Sequence, residues 1–260
     1  MSDTIRVDKD KRGVATLWLA RAEKHNALSA EMMTALEAAA RALAEDREVR
    51  VVVLAAEGPT FCAGGDLAWM KAQRTMDAAT RKAESARIAA VLGALAALPQ
   101  PMIGRVQGNA FGGGVGLASV CDVVIGADSL KMGLTETRLG LIPANIGPYV
   151  IARMGVSRAR QVFMSARIFG AEEAVRLGLL TRAVPAEDLD AAVEAEVAPY
   201  MACAPGAVAE AKALLRALGG EVSKAQVDLA IEALASRWES AEAEEGIDAF
   251  FEKRAPGWAV

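Results

Sequence analysis

Short apolar runs set between helical stretches constrain this chain most. Val51 to Ala55 is wholly apolar and only five residues long. A run of that length, rich in valine, reads as a strand covered on both faces, the habit of parallel strands in α/β proteins. Met102 to Val106 and Val123 to Ile125 are read as further strands of this kind. Ser29 is placed to cap a helix whose apolar positions Met32, Met33, Leu36, Ala40 and Leu43 recur at helical spacing. A second helical stretch runs from about Leu67 to Leu98, bracketed by Pro99 and Pro101. Ahead of these, Ile5–Asp8 and Val14–Leu19 alternate apolar and polar around Asp10–Gly13, the pattern of a hairpin. Leu139–Pro148 reads as a loop, and from about Tyr149 the chain reads as almost entirely helical. The expectation is an α/β fold, with a core over residues 1–200 and a helical C-terminal region over 201–260.

Composition narrows the chemistry. Lys and Arg number 29 against 33 Asp and Glu, a balance without the basic excess of a nucleic-acid binder. No apolar run approaches the ~20 residues of a membrane span. The opening Met1–Ile5 has neither a basic start nor an apolar stretch, so the cytoplasm is the expected compartment. Cys62, Cys121 and Cys203 are three in number and lack C-x-x-C spacing, which reads as free thiols. His25 is the only histidine and has no partner motif, which removes most zinc chemistry and disfavours a Ser-His-Asp triad, so no metal is expected. Carboxylates, backbone dipoles or a bound cofactor must carry any reaction.

Three motifs could do so. Phe61-Cys62-Ala63-Gly64-Gly65-Asp66-Leu67 follows the first apolar strand and opens a helix. Gly108 to Gly116 follows the next strand and opens another. Glycines admit a ligand close to the backbone, and a helix start leaves N–H donors unpaired. The second motif lacks the lysine and hydroxyl of a P-loop and the spacing of a dinucleotide fingerprint. Two such junctions could aim two amides at one oxygen, as in an oxyanion hole; plain turns and close helix packing want glycine equally. The third motif is Leu134 to Pro143, where Glu136 lies in a mostly apolar stretch. Desolvation there would raise its proton affinity as a general acid or base requires; an ion pair with Arg138 is the plainer reading.

Taken together and in order, these motifs resemble the crotonase (enoyl-CoA hydratase/isomerase) family over nearly the whole chain. Arg21 to Leu28 is similar to the family's early CoA-binding segment, Cys62–Leu67 and Gly112–Gly116 to its two oxyanion loops, and Phe250 to Arg254 to its C-terminal CoA-contacting helix. Glu136 stands where the family has a catalytic glutamate. The resemblance implies a crotonase-like spiral of ββα units with a C-terminal helical region that mediates assembly into trimers, often paired as hexamers. It implies the N–H groups of Gly65 and Gly113 as oxyanion donors and Glu136 as the acid-base group. Lys24, Ala27 and the backbone near Ala63 and Asp66 would surround the adenine and phosphates. Lys253, with Phe250, would complete the CoA site, in this or a neighbouring subunit. Trp69 and Met70 would line the acyl pocket or an ordinary apolar helix face. Lys71 and Arg74 would meet a distal substrate carboxylate or solvent. No cofactor is implied, since CoA belongs to the acyl-CoA substrate.

One position departs from the family pattern. Hydratases of the best-known type carry a first glutamate two residues after the glycine triplet, and here that residue is Gly116. The resemblance is nearest to bacterial methylglutaconyl-CoA hydratases of leucine breakdown and the related isohexenylglutaconyl-CoA hydratases. The expected reaction is hydration of a 2-enoyl-CoA, with 3-methylglutaconyl-CoA or a related branched or carboxylated thioester as substrate. Double-bond isomerisation, which one carboxylate can perform, is the first alternative. A non-catalytic CoA- or RNA-binding protein is the second, and the acidic balance speaks against RNA.

Overall fold

The computed structural model describes residues 3–219 and 222–259. β1 (Ile5–Lys9) and β2 (Val14–Leu19) form the expected antiparallel hairpin. In α1 (Ala30–Glu45), the Ser29 hydroxyl accepts from the Met32 N–H and caps the first turn. A strand-strand-helix unit then repeats. First come β3 (Val51–Ala56), β4 (Thr60–Cys62), α2 (Leu67–Gln73) and α3 (Ala78–Ala96). β5 (Met102–Val106), β6 (Asn109–Phe111) and α4 (Gly113–Ser119) follow. The third unit is β7 (Val123–Ala127), β8 (Lys131–Gly133), a 3₁₀ turn at Glu136–Leu139, α5 (Gly147–Met154) and α6 (Val156–Ala159). β9 (Ile168–Gly170), α7 (Ala171–Arg176), β10 (Arg182–Val184) and α8 (Leu189–Met201) complete the core. The chain ends on α9 (Pro205–Gly219), α10 (Lys224–Trp238) and α11 (Ala241–Phe251).

The first strand of each unit enters a larger sheet of order β1-β2-β3-β5-β7-β10. The second enters a smaller one, β4-β6-β8-β9. From β2 to β10 the larger sheet is parallel, as are β4, β6 and β8. The chain therefore winds as a spiral between two sheets, the ββα architecture expected. β3 shows why its sequence is apolar throughout. Val52, Leu54 and Ala56 face the main core, while Val51, Val53 and Ala55 face a second cluster built with Leu189, Val193 and Val197 of α8. Alternate residues of a strand point to opposite faces, and both faces are buried here.

Two expectations are corrected. The helix read from Leu67 to Leu98 is broken at Arg74–Asp77. Asp77 caps α3 by accepting from the Thr80 N–H at 2.8 Å, and the Arg81 guanidinium bonds the Gln73 and Met76 carbonyls at the end of α2. The region after Tyr149 is not helical throughout. It contains β9, antiparallel to β8, and β10, parallel to β7. Each has three residues, too few for periodicity to register, and each exists through its partner strand. β4, β6 and β8 are equally short and were not foreseen for the same reason.

The two glycine junctions pack against each other with no space between. A Cβ on Gly114 would sit 2.9 Å from the Cys62 Cβ and closer still to the Cys62 carbonyl oxygen. The obstacle is backbone, which cannot rotate aside. Gly114→Ala should therefore push α4 off β4, costing about 2 kcal/mol or more as overpacking does, read as a lowered urea midpoint.

Candidate active site

Peptide geometry orients the first glycine junction. Residues 25–28 run beside residues 63–66: Ala63 N–H donates to the His25 carbonyl, Leu28 N–H to the Gly64 carbonyl, and Asp66 N–H to the Leu28 carbonyl. A trans peptide sends its C=O and the following N–H in opposite directions. With the Gly64 carbonyl turned to Leu28, the Gly65 N–H points the other way. Gly64 itself has φ +97°, a conformation that favours glycine. Asp66 then caps α2, accepting from Ala68 and Trp69 N–H groups, while its other oxygen meets Arg21 at 3.1 Å.

The second junction obeys the same rule. The Gly112 carbonyl accepts from Val115 and Gly116 N–H groups, so it points along α4 and the Gly113 N–H points out of the helix start. Among the described residues neither Gly65 N–H nor Gly113 N–H has an acceptor. The junctions touch: a Cβ on Gly113 would lie 3.8 Å from the Gly64 Cα.

Both junctions line one cavity of about 540 Å³. Of the residues expected at the site, Ala63, Gly65, Trp69, Met70, Gly113, Glu136 and Phe250 are brought together in its wall. The Trp69 indole is anchored to Glu84 of α3 at 2.6 Å. Lys24, Ala27, Asp66 and Lys253 stand outside that wall. Ala27 is buried and donates its N–H to the Lys24 carbonyl, and Lys24 and Lys253 are exposed. Arg74 is paired with Asp248 of α11, and Lys71 is exposed and off the wall, so neither is positioned for the carboxylate-binding part considered for them. Arg138 lines the wall and has no ion-pair partner among the described residues.

Glu136 opens its 3₁₀ turn with the carboxyl over Gly112, where a Cβ would come within 2.9 Å of Oε1. Its Oε2 is sealed from solvent without a hydrogen-bond partner, and it makes no ion pair among the described residues, with Arg138 or otherwise. Burial pushes its pKa up to about 7, opposed only by its own backbone N–H. Cys62, at the end of β4, is fully buried; the same desolvation pushes its thiol up to about 12 and leaves it a packing residue.

Several wall residues were not foreseen. Gln73 and Asn145 are buried, and each has an unpartnered oxygen. Gln73 follows Trp69 and Met70 at i+4 and i+3, a spacing that could have flagged it. Asn145 has no such signal. Leu234 and Trp238 of α10 close the cavity beside Phe250, so the C-terminal helices cover this chain's own site. They are held there by Arg81–Glu239 and Lys82–Glu232 pairs to α3, and by Gly246 of α11 against Leu139, where a Cβ would meet the backbone at 2.5 Å. Asn26, which is buried, ties its segment to the strands by donating to the Glu57 and Thr60 carbonyls at 2.8 Å. Among the described residues no helix is long and apolar enough to cross a membrane, and no group of three His, Cys, Asp or Glu residues is placed to hold a metal ion.

Comparison with known proteins gives a consistent picture. Residues 9–260 match a family model described as enoyl-CoA hydratase/isomerase. The structure is similar to an enoyl-CoA hydratase of Mycobacterium smegmatis, at 35% identity and TM-score 0.81 over 99% of both chains. It is similar to Pseudomonas aeruginosa AtuE, at 37% identity and TM-score 0.80, over 99% of this chain and 100% of that one. The mouse mitochondrial methylglutaconyl-CoA hydratase is 37% identical over 184 residues, 69% of this chain and 58% of that protein.

An ionised carboxylate in this setting is a cost to the fold. The unfolded carboxyl ionises near 4.5 and the folded one near 7. The native state binds the proton more tightly, so stability falls as pH rises between those values and stays low above them. Glu136→Gln should thus be more stable than the native protein at pH 8, by something on the order of 3 kcal/mol. The gain should shrink towards zero near pH 4, as thermal melts at the two pH values would read.

Proposed function

This chain belongs to the enoyl-CoA hydratase/isomerase family, and on that premise we propose that it adds water across the double bond of a 2-enoyl-CoA thioester. The observation that carries this reading is a desolvated, unpartnered Glu136 carboxyl sharing one cavity wall with two glycine junctions whose amides lack acceptors. The Gly65 and Gly113 N–H groups receive the thioester oxygen. As it gains enolate character, each donor stabilises it by about 3 kcal/mol. Polarising the carbonyl leaves the β-carbon electrophilic. Glu136, as carboxylate, takes a proton from water while the water oxygen bonds to the β-carbon and the π electrons move to the enolate. It then returns that proton to the α-carbon, so one carboxyl serves both ends and one water is added.

The CoA moiety lies along residues 24–27 and the backbone of Ala63 and Asp66, with Phe250 and Lys253 completing its site. The hydrogen-bonded run of 25–28 beside 63–66 supports that placement. No cofactor takes part. For the acyl group the reading is a branched or carboxylated thioester such as 3-methylglutaconyl-CoA. Trp69, Met70 and Leu234 offer an apolar wall, Arg138 offers a cation free to meet a carboxylate, and the identity to the mouse enzyme supports the class. Isomerisation is the second reading. It is favoured by Ile146, which fills the space beside Gly116 and leaves the wall one carboxylate among the described residues.

Self-association as a trimer or a dimer of trimers is part of the same reading. Leu214, Leu215 and Leu218 lie on one face of α9 with 58–77% of their surface exposed, and Leu229 of α10 is as open. Such a patch on α9 and α10 suits an interface between copies.

Glu136→Gln should lower kcat about 10²–10⁴-fold with CoA-thioester binding nearly intact; undiminished turnover would end the mechanism. The kcat/KM of the native protein should fall as pH drops below about 7, where Glu136 becomes protonated and can no longer accept from water. Incubation with 2-enoyl-CoA thioesters, 3-methylglutaconyl-CoA among them, and with a 3-enoyl-CoA separates the two reactions: a hydroxyacyl product supports hydration, a shifted alkene isomerisation. Replacing Leu215 and Leu218 with serine should reduce the mass found by analytical ultracentrifugation.

A further inference from the structure

Hydration requires that water be held at the β-carbon as well as deprotonated. Among the described residues Glu136 is the only carboxylate in the cavity wall. The place beside Gly116 cannot receive another, since a Cβ there would lie 2.6 Å from Ile146 Cγ2 and 3.2 Å from Leu92 Cδ1. Something uncharged must hold the water's second O–H.

The wall offers two buried, unpartnered carboxamide oxygens, Gln73 Oε1 and Asn145 Oδ1. Their positions differ. Gln73 ends α2, six residues past its first residue Leu67 and so about 9 Å of helix axis from the Gly65 junction. Asn145 immediately precedes Ile146, which sits over Gly116. Glu136 sits over Gly112, about one turn of α4 from Gly116, and Asn145 and Glu136 line the same cavity. One water can bridge two acceptors that line one cavity. A buried acceptor without a partner is unfavourable, and such groups call for a bound polar molecule. The broad terminal torsion of a carboxamide lets its oxygen turn to meet one.

We propose that Asn145 is a water-positioning residue: its Oδ1 and the Glu136 carboxylate each accept one O–H of a single water and turn its lone pair towards the substrate β-carbon. The proton accepted by Glu136 is the one later delivered to the α-carbon. The O–H held by Asn145 stays with the product as its hydroxyl. This assignment rests on the hydratase reading, and it gives the vacated glutamate position a neutral substitute drawn from a different segment.

The test compares two reactions of one active site. Hydration needs the positioned water. Exchange of the α-proton of the matching saturated thioester in heavy water needs only Glu136 and the two amides. Asn145→Leu should lower kcat for hydration about 10–100-fold, the scale of a misplaced reactant. KM and the exchange rate should stay within about threefold of native. Asn145→Asp, which keeps an acceptor at the same place, should recover part of the lost kcat. Hydration and exchange falling together, hydration untouched in Asn145→Leu, or no recovery in Asn145→Asp would each overturn the assignment. Should the native protein hydrate none of the thioesters, the hydratase reading fails, and this one with it; native hydration that is indifferent to Asn145 sinks this one alone.

Discussion

Planarity of the peptide bond is the constraint on which the rest of the site depends. A carbonyl committed to one side commits the next amide to the other. In the first junction the Gly64 carbonyl is taken by Leu28, and in the second the Gly112 carbonyl is taken by the turn of α4. Two N–H groups are thereby released towards a common cavity without any side chain holding them. A donor fixed by backbone need not reorganise as charge develops, which is the advantage such sites have over mobile side chains. The architecture follows from the need to place two junctions side by side. Successive ββα units bring equivalent strand ends together, and β4 and β6 pair in parallel immediately before their glycines.

Close approach is the second condition. Gly64, Gly113 and Gly114 leave no room for a side chain between the junctions, and Gly112 leaves room for the Glu136 carboxyl. The fold tolerates that carboxyl in a setting that disfavours its charge. This is the common trade between stability and a reactive group kept near neutrality. The C-terminal helices contribute to the same trade by covering the cavity with Leu234, Trp238 and Phe250, which deepens the desolvation. A helical tail that looks separable along the chain is therefore part of the site's dielectric, tied down through Arg74, Arg81 and Lys82.

Much of this was legible in the chain before its coordinates. The hairpin, α1 with its Ser29 cap, the buried strands at Val51 and Met102, and both glycine-to-helix junctions follow from local pattern. Seven of the residues singled out for the site share one wall. The short strands of the smaller sheet were not legible, because three residues carry no period and their identity lies in the partner they pair with. Asn145 was not legible either. Nothing in Pro143-Ala144-Asn145 separates a buried polar residue from a loop residue.

The sequence by itself determined where backbone could come close to backbone and where an acid would sit among apolar neighbours, since glycine, β-branched runs and caps act over a few residues. Tertiary structure alone decided that Glu136 would pair with no cation among the described residues. It also decided that Ile146 would fill the space beside Gly116, and that α10 and α11 would close over their own chain's cavity. Those outcomes depend on segments as much as 158 residues apart, as Arg81 and Glu239 are, meeting in space. Desolvation, which sets the Glu136 carboxyl near neutrality, is a property of that meeting and of no local stretch.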